Sequence, residues 1–211
     1  MSFNVPKEKI ILTPNAIDKK ALAQEDKRKF RVKHHLKEND FVVLSLSRLH
    51  KSKGFDLIVK LAVHYPQIRF VLAGKDEGFR KELEYLIEKL KVKNVMLTGE
   101  IAEEEKQLAF ASCDIFIHPT HFEAFGIVVL EAMAQARPVI ASRVGGVPWI
   151  VEDTGLLFED NNKEDLEDKF KRLLYSSSLR KKLAEKAFRR ASKFTWDKVA
   201  LVLERRYKEV L

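Results

Sequence analysis

An α/β fold with a Rossmann-like, doubly wound parallel sheet and a helical C-terminus is what this sequence predicts, on three observations. Short, nearly continuous apolar runs recur at 41–47, 68–73, 94–98, 115–117 and 138–142, the pattern of parallel strands covered on both faces. Between them lie segments whose apolar residues repeat at helical spacing. Gly74, Gly99 and Pro119 punctuate the strand ends, and the alternation of strand and helix selects right-handed crossovers in one sheet.

In chain order, residues 9–18 read as a short strand ending in a turn. A basic stretch at 21–37 reads as a surface helix, because its apolar residues are too sparse for deep burial. The run at 41–47 leads through Arg48, Lys53 and Gly54 to a helix with Leu57, Ile58, Leu61 and Ala62 on its inner face. A strand at 68–73 precedes a helix at 79–90, and a strand at 94–98 precedes a helix at 103–112. Residues 115–117 form the next strand, Pro119 breaks it, and a helical pattern starts near Ala124; a further strand follows at 138–142. From residue 163 onward only helices are expected, at 163–175, 178–192 and 196–210, the last with Thr195 as N-cap and Asp197 in its first turn. No internal repeat or interdomain linker interrupts the series.

The chain has 211 residues, 45% of them hydrophobic, enough for a sizeable core. No apolar run reaches the roughly eighteen residues of a membrane span, and Met1-Ser2-Phe3-Asn4 does not resemble a secretion signal, so a cytoplasmic placement is expected. The formal charge of +8 admits nucleic acid, an anionic membrane surface or a polyanionic substrate as partner. Basic and acidic residues are interleaved and the basic ones lack interspersed aromatics, which argues against nucleic acid and leaves peripheral contact with an anionic membrane open. Cys113 is the sole cysteine and cannot form an internal disulfide.

In an open parallel sheet ligands bind at the carboxyl ends of the strands. Arg48 and Lys53 fall there, one a bidentate fork and the other a point charge, a pair suited to a diphosphate. Glu123 and Glu131 bracket Phe125, Gly126, Ile127 and Val128, where a helix start offers free amides to an anion. On a helix their spacing is roughly 12 Å, so Glu123 would read sugar hydroxyls and Glu131 a ribose diol. Read singly, each of these residues also fits an ordinary solvated loop or helix charge. Gly145 and Gly146 fit either a close approach by phosphate or sugar, or a plain turn. His118 and His121 have no cysteine nearby and the chain has no Asp-x-Asp pair, which gives a metal site little support. Gly-x-Gly-x-x-Gly and Walker loops are both absent.

Taken together, Arg48 with Lys53-Gly54, Gly99, Glu123-Ala124-Phe125-Gly126 and Glu131-Ala132-Met133-Ala134 resemble, in order, the nucleotide-binding C-terminal half of retaining GT-B glycosyltransferases, the group of glycogen and sucrose synthases and bacterial mannosyltransferases. The resemblance runs from Pro14-Asn15-Ala16-Ile17-Asp18 to Phe194-Thr195-Trp196. It implies that Arg48 and Lys53 hold the donor diphosphate, that the amides of residues 126–128 assist them, that Glu123 binds the donor sugar, Glu131 the ribose, and the turn from Gly99 to Ile101 the base. Arg48, Lys53 and Glu123 would carry the chemistry, with neither metal nor cofactor, and the substrate would be a nucleoside diphosphate sugar whose base is unspecified. Ala16, Ala136 and Trp149 depart from the family pattern. The family's N-terminal acceptor domain has no counterpart in residues 1–211, so the chain reads as a single donor-binding domain whose partner domain acts in cis or in trans. Two other readings are a stand-alone nucleotide-sugar-binding or regulatory module and a related GT-B sugar-nucleotide epimerase.

Overall fold

The computed structural model describes Pro6, Ile10 and residues 13–210, the last by its backbone alone. Six strands form one sheet: β1 (Val42–Leu46), β2 (Arg69–Ala73), β3 (Val95–Gly99), β4 (Ile115–His118), β5 (Val139–Ser142) and β6 (Leu156–Phe158). Their order is β3-β2-β1-β4-β5-β6 and every pairing is parallel. The helices are α1 (Lys27–Lys33), α2 (Phe55–Ala62), α3 (Arg80–Lys89), α4 (Glu103–Ser112), α5 (Ile127–Ala134), α6 (Val147–Val151), α7 (Lys163–Leu174), α8 (Ser177–Ala191) and α9 (Trp196–Val210). The doubly wound Rossmann-like sheet and the helical C-terminus thus match the expectation from sequence.

Both faces of the sheet are covered, which is why its strands are mostly apolar. Val42 and Leu44 pack with Phe110, Phe116, Val129 and Met133 under α4 and α5. Val43 packs on the opposite side with Phe55, Ile58, Phe70 and Phe170 under α2, α3 and α7. Burying each such side chain contributes roughly 1.5–3 kcal/mol. The order in which strands are added reverses between β1 and β4, where Val43 is in register with Ile115 and Leu44 with Phe116. That reversal is the switch point at which loops from two strands part and a crevice opens.

Several expectations change. The strand at residues 9–12 lies outside the described residues, Ile10 apart. Downstream, Ile17 makes an isolated parallel bridge with Thr195. The basic stretch at 21–37 is not one surface helix. A 3₁₀ turn at Lys19–Leu22 precedes α1, because the Asp26 carboxylate accepts from the Arg28 amide and starts a new helix there. Nor does α1 only skim the surface: Phe30 is buried, and so is Arg31, whose guanidinium donates to the carbonyls of Ser112, Lys37, Glu38 and Asp40. The strand β6 and the short helix α6 were not anticipated. Thr195 stands before α9, but its hydroxyl is buried without a partner and does not cap the helix. Among the described residues no helix is long and apolar enough to cross a membrane.

Candidate functional site

The loops after β1 and β4 meet at the switch point. After β1, a 3₁₀ turn at Lys51–Lys53 is capped by the His50 ring, which accepts from the Ser52 amide, and it ends at Gly54 with φ +65°. A β-carbon on Gly54 would stand 2.0 Å from the Pro119 carbonyl oxygen, so glycine alone lets the two loops touch. The Ser52 carbonyl accepts from the His121 amide at 2.8 Å and from the Thr120 hydroxyl at 3.1 Å. This clamp delivers Lys53 Nζ to Glu123 Oε2 at 3.0 Å, with both side chains largely out of water.

A third group joins them. His118, the last residue of β4, is 1% exposed, and its Nε2 lies 3.3 Å from the same Glu123 oxygen. Its Nδ1 is buried without a partner among the described residues. Burial pushes the pKa of His118 down, so the ring is neutral and donates from Nε2. The hydrogen bond from His118, and then that from Lys53, hold the Glu123 carboxyl well below its usual range, at about 2. Glu123 is therefore an ionised, immobilised acceptor. Behind it, the Gly146 amide donates to the Glu123 carbonyl at 3.3 Å, and a β-carbon on Gly145 would collide with that carbonyl. Gly145 and Gly146 form a turn ahead of α6, and what comes close to them is the backbone of the Glu123 loop.

The helix begins later than the pattern suggests. Gly126, at φ +101° and ψ +48°, precedes α5, and no side chain caps it. Glu123 therefore lies in a loop, and its separation from Glu131 is not a helical rise. The first amides that bond back are those of Val129 and Leu130, both to the Gly126 carbonyl, which leaves the Ile127 and Val128 amides for an anion. Phe125 packs half-buried on Trp149, ring centroids 6.1 Å apart.

Glu131 sits one turn into α5 and faces a different space, a cavity of about 510 Å³ that it lines with Ala16, Ile17, Asp18, Glu103 and Ile127. Burial pushes its pKa up to about 7. Gly99 ends β3 at φ +76°, its carbonyl accepting from the Gly74 amide at 2.8 Å. Ile101 buries its side chain in the core beneath α4 and α5, which leaves Glu100 as the exposed side chain of the turn between them.

Arg48 does not join the Lys53–Glu123 cluster. Its guanidinium is bonded to Glu77 at 2.8 and 3.0 Å and is largely exposed. The two histidines also separate, His118 to Glu123 and His121 to Asp160 at 2.7 Å. Among the described residues no three His, Cys, Asp or Glu side chains group as metal ligands. A larger cavity of about 570 Å³ lies between α2 and α3, but its Lys60 is already paired with Asp56 and its His121 is hydrogen-bonded to Asp160. The residue that sequence reasoning missed is His118 as the partner of Glu123. Its signal was a polar residue closing an apolar strand directly before Pro119.

Residues 26–190 match the family model for glycosyl transferases group 1. An uncharacterized glycosyltransferase of Methanocaldococcus jannaschii is 34% identical over 160 residues, covering 75% of this chain and 45% of the relative. Among solved structures, sucrose-phosphate synthase from Thermosynechococcus elongatus superposes with a TM-score of 0.85 at 27% identity, over 95% of this chain and 52% of that one. Anabaena HepE in complex with UDP-glucose superposes with a TM-score of 0.87 at 25% identity, over 98% and 59%. The chain thus spans about half the length of each of these three proteins.

Proposed function

The chain belongs to the group 1 glycosyl transferases, with the fold of their GT-B C-terminal domain, and on that premise we propose that it binds a nucleoside diphosphate sugar as the donor side of a retaining, metal-independent hexosyl transfer. The observation that carries this reading is the fixed, ionised Glu123 beside Lys53 and the uncapped start of α5. A carboxylate held by two donors is an acceptor for sugar hydroxyls, and the ammonium with the open amides suits the adjoining diphosphate. As the glycosidic bond breaks, negative charge gathers on the diphosphate. The α5 amides stabilise it without reorganising, which is the usual source of catalysis at such sites, and the ammonium of Lys53 adds its charge. In this reading Arg48 leaves Glu77 to join them, Glu131 accepts from the ribose in its own cavity, and the turn from Gly99 to Ile101 lines the base. The acceptor lies against a second domain, in cis or in trans, and attacks on the face the diphosphate leaves. HepE, 25% identical, is a relative crystallised with UDP-glucose, which makes UDP the first base to try.

Calorimetry with UDP, GDP and ADP tests this. Binding of one of them, weakened roughly 10- to 100-fold by Lys53→Ala or Glu131→Ala, is the expected result. Binding of none, or binding indifferent to both substitutions, overturns the reading.

A further inference from the structure

Glu123 makes both of its side-chain contacts through one oxygen. His118 Nε2 and Lys53 Nζ converge on Oε2, while Oε1 has no partner among the described residues. The two donors differ in kind. Lys53 reaches Glu123 on a flexible four-carbon stem, and a diphosphate at the start of α5 competes for the same ammonium. The His118 ring cannot follow a ligand. It ends β4, is 1% exposed, and stacks on Phe116 at 6.3 Å with an interplanar angle of 13°.

We propose that His118 is the positioning residue of the donor site: a neutral imidazole whose Nε2–H keeps Glu123 Oε2 in place after Lys53 has turned to the diphosphate, so that Oε1 accepts from a sugar hydroxyl. The inference rests on the donor-binding reading. The ring's surroundings specify the tautomer. A proton on Nδ1 would be a buried donor with nothing to receive it, and would turn a lone pair toward a carboxylate. An imidazolium would leave the same Nδ1–H unmatched. Only the neutral Nε2–H ring satisfies Glu123 and leaves no donor stranded. His118 thereby acts on the sugar through Glu123, not on the nucleotide.

The test compares two amides of similar size. Glutamine carries its amide nitrogen near the position of Nε2, whereas asparagine carries it near Nδ1. Calorimetry of the full chain with UDP-glucose and UDP, and with GDP-mannose and GDP, measures how much the sugar adds to binding. In His118→Asn the preference for the sugar nucleotide over the bare nucleotide falls roughly tenfold, and in His118→Gln it is retained. Equal losses in the two variants, or a loss shared equally by the sugar nucleotide and the bare nucleotide, overturn the proposal. Wild-type chain that binds none of the four overturns the donor reading and the sugar-positioning role together. Nitrogen-15 spectra of histidine-labelled chain give a readout that does not depend on ligand or on the stability of the variants. A neutral ring protonated at Nε2, whose resonance moves in Glu123→Gln, supports the assignment, and a ring protonated at Nδ1 or charged at pH 7 refutes it.

Discussion

Gly145 sits so close behind Glu123 that a β-carbon on it would stand 1.8 Å from the Glu123 carbonyl oxygen. The contact is backbone against side chain, with no flexible tip to give way, and Gly145 also holds φ +49°, a conformation that L side chains resist. The site loop is thus positioned from behind by a residue that cannot enlarge.

Gly145→Ala is expected to destabilise the fold by about 2–4 kcal/mol, combining overpacking with left-handed strain. Urea unfolding measures it. Stability equal to that of the wild type would show that the loop moves freely and that the close approach has no structural role.

Arg31 makes the second prediction. Its guanidinium serves four carbonyls and approaches Asp114 at 3.3 Å while itself 4% exposed. Arg31→Met keeps much of the volume and leaves those acceptors unmatched, at a cost of about 3–5 kcal/mol. Arg31→Lys recovers only part, because one ammonium cannot span the positions that the planar fork reaches. A fully stable Met variant in chemical denaturation would contradict this.

A third prediction concerns pH. The folded-state pKa of Glu131 is raised to about 7 by burial, above its ordinary value of 4.5. Below pH 4.5 the carboxyl is neutral in both states and its contribution is fully present. As pH rises toward 7 the unfolded chain releases the proton first, so stability declines across that window and levels off above it. Glu131→Gln removes this component. Unfolding free energies at pH 5 and pH 8 should therefore differ less in the variant than in the wild type, and equal differences would rule out a buried, proton-holding Glu131.

Strands β1, β2, β4 and β5 were legible because burial on both faces leaves an apolar run, as in Val42, Val43 and Leu44, and the half-buried β3 still carries Val95, Met96 and Leu97 in a row. Strand β6 was not, since three residues ending at Phe158 are too few to separate from a loop. Arg31 could not be singled out either. In sequence it is one cation among many in a basic segment, and only the fold brings carbonyls from α4 and the loop before β1 to its fork. Lys53, Glu123 and Glu131 were identified and expected, with Arg48, around one crevice, but how they pair within it was not legible. The ion pair unites the first two, Glu131 opens on a separate cavity, and Arg48 is tied to Glu77, an attachment set by the adjacency of β1 and β2. His118 escaped because its role appears only when Glu123 folds back over the end of its strand.

The sheet order has a consequence for how the site comes into being. Strands β1 to β3 are neighbours in sequence, as are β4 to β6, and among the described residues the strand pairing that joins these two wings is β1 against β4. Lys53 hangs from one wing, while His118 and Glu123 hang from the other. Neither wing alone possesses the site, and closing the seam joins segments some seventy residues apart, the slow kind of event in a parallel fold. Joining the wings and assembling the site are a single event, so a ligand held there acts as a clasp that retards their separation.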